Sequence, residues 1–280
     1  PLQQFSRISY CPPSQISSWT CGQPCSALPD FIPYLVGGDI GITPYYYVGY
    51  WPAENTAVIV HQGRPPYYLA SLLKNFEVPL TPLDITLFPG LGSSIKVHSG
   101  FASVQALTAK AILAAVNKTL SDHSISKVTI VGHSLGGAIG MIDMVYLRLH
   151  LPSSTSFKFV GHGIPRVGNQ AFADYVDSTF FDVTRINYAG DPIPIVPGLF
   201  LGYHHVSGEV HILKNNTWIA CQDNPNIECS TGDVPTLLSA NPLDHLGPYN
   251  GIWVSCFFFF FFLFVLRVCR RAAAAHTTLL

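Results

Sequence analysis

One serine lies within a pattern that can build a nucleophile. Residues 127–142 read Lys-Val-Thr-Ile-Val-Gly-His-Ser-Leu-Gly-Gly-Ala-Ile-Gly-Met-Ile, and 132–136 fit Gly-x-Ser-x-Gly around Ser134. A β-branched run precedes this motif and an apolar helical pattern follows it, which predicts a strand, a tight turn and a helix. Such an elbow exposes Ser134 Oγ and aims the first helical amides, including that of Leu135, at a developing oxyanion. A chance match in a glycine-rich chain is the weaker alternative.

A serine hydroxyl is a weak nucleophile, so it needs a base and an acid that orients the base. Around this elbow the acid and then the histidine follow the serine along the chain. Asp191 follows a predicted strand, 182–187, and precedes a rigid Pro-Ile-Pro-Ile-Val-Pro stretch. That position suits a triad acid, although a turn aspartate before proline is the alternative. Asp143, Asp174 and Asp177 lie in predicted helices and face away from a strand-end loop.

The base is expected from the histidines after Asp191. His245 lies in the loop Asn-Pro-Leu-Asp-His-Leu-Gly-Pro-Tyr, which could reach back over the sheet edge. His204, His205 and His211 lie in a strand-like stretch, where structural roles are more usual. Metal binding by His204 and His205 lacks a partnered spacing, so no metal site is predicted. Chain order therefore favours His245.

A second oxyanion donor is expected after an early strand. The stretch Thr56-Ala-Val-Ile-Val-His61 predicts a short buried strand, and Gln62, Gly63 and Arg64 follow it. The backbone N–H groups of Arg64 and Leu135 are then the two expected donors.

Composition limits the class of protein. The 280 residues are 48% hydrophobic and 11% charged with a net charge of −1, which allows one large α/β domain or two small ones. Because no basic patch exists, a nucleic-acid partner is not expected. No Cys-x-x-Cys pair is present, which weakens zinc and thioredoxin-like interpretations.

The cysteines suggest three disulfides. Cys21 and Cys25 could close a small loop, Cys221 and Cys229 bracket a turn cluster, and Cys11 and Cys256 could join the ends of one domain. Disulfides indicate an oxidising compartment. Two sites match the N-glycosylation pattern, and chance occurrence is an equal alternative for each: Asn117 and Asn215.

Strand and helix patterns alternate along the middle of the chain, which predicts an α/β fold with a parallel sheet. We expect an irregular, disulfide-stapled segment over residues 1–50 and an edge hairpin over 203–213. Predicted helices cover 101–120, 134–150 and 169–180, and predicted strands cover 56–61, 127–131, 157–161 and 182–187.

The C-terminal end differs in composition. Six phenylalanines, 257–262, lead into further apolar residues and then Arg-Val-Cys-Arg-Arg. The apolar run 252–266 is shorter than the ~18 residues that suggest a membrane span. We therefore predict one domain over 1–256 and a non-native hydrophobic extension over 257–280, with no integral membrane span.

Taken together, the ordered motifs resemble the fungal-type class 3 lipases of the α/β-hydrolase fold. The resemblance runs from about Cys11 to Cys256 and rests on these segments: Val60-His-Gln-Gly63, Val97-His-Ser-Gly-Phe101, Val131-Gly-His-Ser-Leu-Gly-Gly137, Gly163-Ile-Pro-Arg-Val-Gly-Asn169, Gly190-Asp-Pro-Ile-Pro194 and Asp244-His-Leu-Gly-Pro-Tyr-Asn250. It implies a mostly parallel central sheet flanked by helices, with the elbow at Ser134.

The resemblance also implies a function. Ser134, Asp191 and His245 would form the triad of a secreted, cofactor-free and monomeric ester hydrolase, chiefly a triacylglycerol lipase at a lipid–water interface. A short lid would follow the oxyanion strand near 65–73. Its apolar side chains would contact the interface, with a buried core helix as the alternative for this stretch: Tyr67, Tyr68, Leu69, Leu72 and Leu73.

Arg64 departs from the family pattern, which usually has serine or threonine there. The backbone N–H is kept, but the hydroxyl donor is lost, and one oxyanion donor can contribute ~10²–10³ in rate.

Two rival functions are open. One is a feruloyl or other small-ester esterase, which the apolar lid disfavours. The other is a lipase-like protein that binds acyl ligands without turnover, with catalysis impaired by Arg64. Labelling of Ser134 by a fluorophosphonate separates an enzyme from a binding protein.

Overall fold

Ten strands and seven α-helices are present among the described residues, which in this computed structural model are 1–65, 78–222, 226 and 228–256. The strands are β1 Ile32–Gly37, β2 Tyr46–Trp51, β3 Thr56–His61, β4 Leu80–Pro82, β5 Lys96–His98, β6 Lys127–His133, β7 Ser156–His162, β8 Val183–Tyr188, β9 Glu209–Ile212 and β10 Trp218–Ala220. The helices are α1 Leu2–Ile8, α2 Pro13–Ser17, α3 Gln23–Ser26, α4 Ser99–Asp122, α5 Leu135–His150, α6 Gln170–Thr179 and α7 Ser230–Asp233.

The main sheet has eight strands in the order β1-β2-β3-β6-β7-β8-β9-β10. The central ladders from β3 to β9 are parallel, and antiparallel strands flank them on both sides. Helices connect the parallel strands β6, β7 and β8 in sequence, as the alternating patterns predicted. The carboxyl ends of these strands therefore lie at one edge, where an α/β sheet places its ligands.

Both faces of the sheet are covered, which explains the apolar runs in its central strands. In β3, Ala57 and Ile59 belong to the core beneath α4 and α5. Val58 and Val60 point to the opposite core, which the N-terminal helices cover. Alternate side chains of β3 therefore pack into two separate cores, one on each face of the sheet.

Helix α4 begins and ends close to its predicted bounds. The His98 side chain accepts hydrogen bonds from the Gly100 and Phe101 amides, which satisfies two amide groups at the first turn. By length and composition α4 is the one described helix that could cross a membrane. Its buried face, which includes Ile112 and Val116, lies in the core against the sheet.

The prediction of an irregular segment over residues 1–50 is wrong. Three short helices and two strands form there. The helices span four to seven residues, so a helical period cannot be recognised in the sequence. Tertiary packing stabilises them instead, since Phe5, Ile8 and Ile16 are fully buried against the sheet.

The predicted edge hairpin over 203–213 also needs correction. The hairpin is formed by β9 and β10, and β9 pairs in parallel with β8. Residues 203–208 lead into it as a loop whose Tyr203 hydroxyl donates to the Val78 carbonyl at 2.7 Å. The alternating pattern of residues 203–208 therefore comes from individually buried loop residues and not from a strand.

Three disulfides join the expected cysteines: Cys11–Cys256, Cys21–Cys25 and Cys221–Cys229. The first connects the end of α1 to the C-terminal segment, where Arg7 Nε also donates to the Ser255 carbonyl at 2.9 Å. The proposed lid residues and the extension 257–280 lie outside the described residues. Asn117 and Asn215 are both exposed, and their glycosylation stays a prediction.

Candidate active site

Ser134 occupies a strained turn between β6 and α5. Its backbone has φ 58° and ψ −133°, which non-glycine residues rarely adopt and which often marks a functional position. The flanking glycines are required by close approach. A Cβ at Gly132 would lie 2.5 Å from Gly137 Cα, and one at Gly136 would lie 2.2 Å from the His61 carbonyl oxygen. The nucleophile elbow predicted from the motif is therefore present.

His245 and Asp191 form a buried pair at the same edge of the sheet. His245 Nδ1 lies 2.9 Å from Asp191 Oδ2 and 3.0 Å from Oδ1, and both residues are at most 3% exposed. The Ile193 amide also donates to Asp191 Oδ1 at 2.8 Å. A carboxylate that faces Nδ1 keeps the proton on that nitrogen and leaves Nε2 free to act as a base.

The loops that carry the acid and the base are bound to each other. Asp244 Oδ2 accepts from the Gly190 amide at 2.9 Å, and the Asn241 amide donates to the Gly190 carbonyl at 2.8 Å. The Tyr249 hydroxyl donates to the His245 carbonyl at 3.1 Å. The two bonds to Gly190 connect residues more than fifty positions apart and join the acid loop to the base loop, whereas the Tyr249 bond holds the base loop on itself.

Ser134 Oγ is buried and makes no hydrogen bond within the described part of the chain. The structure thus forms the acid–base half of the predicted triad but not the bond from the serine to the base. Catalytic hydrogen bonds often tighten only once substrate is bound, so this arrangement is compatible with a triad that completes its serine–histidine bond on substrate binding.

His133, the residue before Ser134, links the elbow to the base loop. Its Nε2 donates to the His245 carbonyl at 2.7 Å, which leaves Nδ1 to accept from the Tyr10 hydroxyl at 2.6 Å. Burial, followed by the charge of His245, holds the pKa of His133 well below its usual value. His133 therefore stays neutral, as both hydrogen bonds require.

Tyr10 comes from the segment after α1, and sequence reasoning missed its place at the site. Burial raises the pKa of its hydroxyl, against a smaller opposing effect from a hydrogen bond with the Gly63 backbone. One hydroxyl therefore contacts both the elbow and the loop after β3. Nothing in the surrounding sequence, Ser-Arg-Ile-Ser-Tyr-Cys11, indicates that Tyr10 lies at the site.

Arg166, in the predicted Gly-Ile-Pro-Arg segment, holds the chain that follows Asp191. Its Nη1 donates to the Ile195 carbonyl and, at 2.7 Å, to the Pro197 carbonyl. His205 Nε2 donates to the Pro194 carbonyl at 2.8 Å. Burial lowers the pKa of Arg166 to about 10, assisted by the nearby charge of Arg185. The guanidinium still carries its charge near neutral pH and strengthens these bonds.

The loop after β3 places Arg64 at the rim of the site. The Gln62 amide donates to the Tyr45 carbonyl at 2.8 Å, and a Cβ at Gly63 would lie 2.8 Å from Ser134 Cβ. The Arg64 guanidinium donates to the Gly41 carbonyl at 3.4 Å, on the exposed turn between β1 and β2. As the first residue of α5, Leu135 has an amide without an intrahelical acceptor. Both expected oxyanion donors therefore belong to segments that contact the serine.

The other sequence candidates lie elsewhere. Asp174 is exposed on α6 and accepts from Gln170, and Asp177 accepts from Ser207. His211, in β9, contacts Asp233 at the end of α7 at 2.7 Å. Among the described residues one group could geometrically hold a metal ion, but its two cysteines form a disulfide and offer no thiolate: Glu209, Cys221 and Cys229.

Comparison with known proteins finds related sequences. A family model described as Lipase (class 3) matches residues 58–201. The lipase of Rhizomucor miehei is 32% identical over 206 residues, covering 71% of this chain and 53% of that protein. Secreted mono- and diacylglycerol lipase 1 of Fusarium solani is 35% identical over 146 residues, covering 49% of this chain and 43% of that protein.

Similarity extends to three-dimensional structure. A solved structure of the Rhizomucor miehei triacylglyceride lipase has a TM-score of 0.76 at 27% identity, covering 91% of this chain and 96% of that chain. The chain spans about half the length of the curated relatives it matches.

Proposed function

Because this chain belongs to the class 3 lipase family, we propose that it is a secreted ester hydrolase that cleaves acylglycerols through Ser134, His245 and Asp191. The observation that carries the proposal is the buried His245–Asp191 pair, at 2.9 Å, beside a serine in a strained elbow. The names of the relatives support an acylglycerol substrate and an extracellular location. The three disulfides suit the same location.

The proposed reaction is acyl transfer in two halves. His245 Nε2 accepts the proton of Ser134 Oγ while the oxygen attacks the ester carbonyl carbon. The carbonyl oxygen becomes an oxyanion, which the Leu135 and Arg64 amides bind. Collapse of this intermediate expels the alcohol, which takes the proton from His245. Water then repeats the sequence on the acyl-enzyme and releases the fatty acid.

Asp191 serves the base in both halves. When His245 takes the proton, its ring becomes positively charged in a buried site, and the carboxylate stabilises that charge. The Ile193 amide and the Arg166 bonds to the following loop hold the carboxylate in place. The Ile193 amide bonds Oδ1 directly, whereas Arg166 bonds backbone carbonyls of the following loop, so Oδ2 stays available to His245 at 2.9 Å.

Arg64 keeps a backbone donor where the family usually adds a hydroxyl. Its side chain contacts the Gly41 carbonyl, so the guanidinium has a partner outside the oxyanion position. This supports turnover over the binding-only alternative, with a slower rate than an added hydroxyl would allow. A lipid–water interface as the place of action rests on the family and on the proposed lid.

The test combines labelling with turnover. Wild-type protein and a Ser134→Ala variant are treated with a fluorophosphonate and assayed on emulsified triolein and on a chain-length series of p-nitrophenyl esters. We expect one label, mapped to Ser134, and no turnover in the variant. Ser103→Ala is the matched control, because among the described residues this exposed serine donates to the Ser99 carbonyl alone. Folded wild-type protein that neither labels nor hydrolyses esters would refute the proposed function.

A further inference from the structure

A second histidine–carboxylate pair lies behind the active site. His61 Nε2 is 2.6 Å from Asp143 Oδ2, and Gln105 Nε2 donates to Asp143 Oδ1 at 2.8 Å. Asp143 and Gln105 are fully buried, and His61 is 2% exposed. A buried carboxylate is costly unless it is paired, so these three side chains depend on one another. None of them takes part in the acyl transfer described above.

The pair joins the two segments that carry the proposed oxyanion donors. His61 is the last residue of β3, and its Cα pairs with that of Gly132, two positions before Ser134. Asp143 lies in α5, whose first residue is Leu135. Arg64 follows His61 by three residues. The bond between His61 and Asp143 therefore connects the origin of one donor to the helix of the other.

Backbone packing makes the connection rigid. The His61 carbonyl oxygen approaches Gly136 so closely that a Cβ there would lie 2.2 Å away. The end of β3 thus contacts α5 at Gly136 through its backbone and at Asp143 through its side chain. Tyr46 stacks on the His61 ring with centroids 5.8 Å apart and holds its plane. Two contacts a helical turn or more apart fix both the distance and the angle between strand and helix.

We propose that His61 and Asp143 are positioning residues that set the separation of the Arg64 and Leu135 amides, with Gln105 orienting Asp143. The inference rests on the proposed function, because it assigns those amides to the oxyanion. Displacement of a catalytic group by about 1 Å can cost ~10²-fold in rate. Loss of the pair should therefore lower kcat while KM changes little, since the pair contacts no substrate.

The decisive variant replaces the pair with apolar side chains of similar size, His61→Phe with Asp143→Leu. Such replacements of buried pairs often preserve stability. We expect kcat on p-nitrophenyl butyrate to fall ~10–100-fold with KM within about twofold of wild type. Phosphonylation of Ser134 by a p-nitrophenyl phosphonate should slow by the same factor, because its P=O oxygen needs the same donors.

Asp143→Asn is the conservative rescue. Gln105 Oε1 has no partner within the described part of the chain. The Gln105 amide can therefore flip and accept from the new amide nitrogen, while His61 donates to the amide oxygen. This variant keeps the connection without the charge, so its kcat should stay within about threefold of wild type.

The matched control is a buried side-chain pair between β3 and β6, at the end of β3 opposite His61. Thr56 and Thr129 are buried, and their hydroxyls are 3.0 Å apart. Thr56→Val with Thr129→Val should alter Tm but leave kcat unchanged. Equal losses of kcat in this control and in the apolar pair variant would overturn the inference, as would an unchanged kcat in a folded apolar variant.

Two remaining outcomes also decide the question. If the apolar double variant fails to fold, Gln105→Met removes only one bond to Asp143. A several-fold lower kcat at unchanged KM then supports the inference, and an unchanged kcat overturns it. If wild-type protein neither labels nor turns over, the proposed function fails and takes this inference with it. If the wild type is active and the variants do not lower kcat as expected, the positioning role is refuted and the proposed function stands.

Discussion

Replacement of Asp191 by asparagine isolates the electrostatic role of the acid. In the structure the Ile193 amide donates to Oδ1 at 2.8 Å, so it will hold the amide oxygen of asparagine at that position. The NH2 group then takes the Oδ2 position, 2.9 Å from His245 Nδ1. Because that NH2 group only donates, Nδ1 must lose its proton and Nε2 must carry it. Nε2 can then no longer accept the serine proton.

The expected loss is ~10⁴-fold in kcat, the effect of holding the base in the wrong tautomer. At ~1.4 kcal/mol per tenfold, that corresponds to about 5 kcal/mol of transition-state stabilisation. KM should change little, because Asp191 is 1% exposed and does not contact substrate. The near-identical shape of asparagine should keep the fold, which circular dichroism and Tm will verify.

The assay is hydrolysis of p-nitrophenyl butyrate, followed from pH 6 to 9, with Asp174→Asn as the control. Asp174 is exposed on α6 and, within the part of the chain that the structure describes, its side chain bonds to Gln170 alone, so its variant should retain full activity. A folded Asp191→Asn protein that loses less than tenfold in kcat would refute the tautomer argument. An equal loss in the Asp174 variant would do the same.

Three further predictions follow from individual residues. Arg64→Thr should raise kcat on a short-chain ester by adding a hydroxyl donor, and an unchanged or lower kcat in folded protein would contradict it. Tyr10→Phe should lower the free energy of unfolding in urea by about 1–3 kcal/mol, because it leaves the buried His133 Nδ1 unbonded; equal stability would disprove the link. Burial lowers the pKa of His98 to about 4, so the unfolded chain binds the extra proton first as pH falls below ~6.5. Stability should therefore fall by up to ~1.4 kcal/mol per pH unit between ~6.5 and ~4 on account of His98, and His98→Asn, which keeps an N-cap acceptor, should reduce that slope. The free energy of unfolding is measured in urea at pH 6.5 and 4.5. If wild type and His98→Asn lose the same amount between these two pH values, the assignment is wrong.

Local patterns predicted the elements that carry the chemistry. The β-branched run before Ser134 and the helix after it occupy the predicted positions, since propensity and period act over a few neighbouring residues. Chain order singled out Asp191 and His245, and the structure joins them, although their catalytic roles stay a proposal. Two disulfides were proposed from short loops, and Cys11–Cys256 was proposed to join the ends of the domain; the structure contains the same three pairs.

Contacts between distant segments could not be predicted in this way. Tyr10 meets His133 across 123 positions, and His61 meets Asp143 across 82. Asp143 was set aside as a helix residue facing away from the strand-end loop, and the structure shows that it faces the end of β3. The N-terminal helices were missed because burial against the sheet, rather than their own period, stabilises them.

The sequence by itself determined the position of the elbow and singled out Ser134 as the proposed nucleophile, because a turn that tight requires glycines around a single serine. The tertiary structure alone decided what holds them in place. Hydrogen bonds from Tyr10, His61 and Arg166 form only when the sheet has brought remote segments within about 3 Å, and that distance depends on the path of the whole chain.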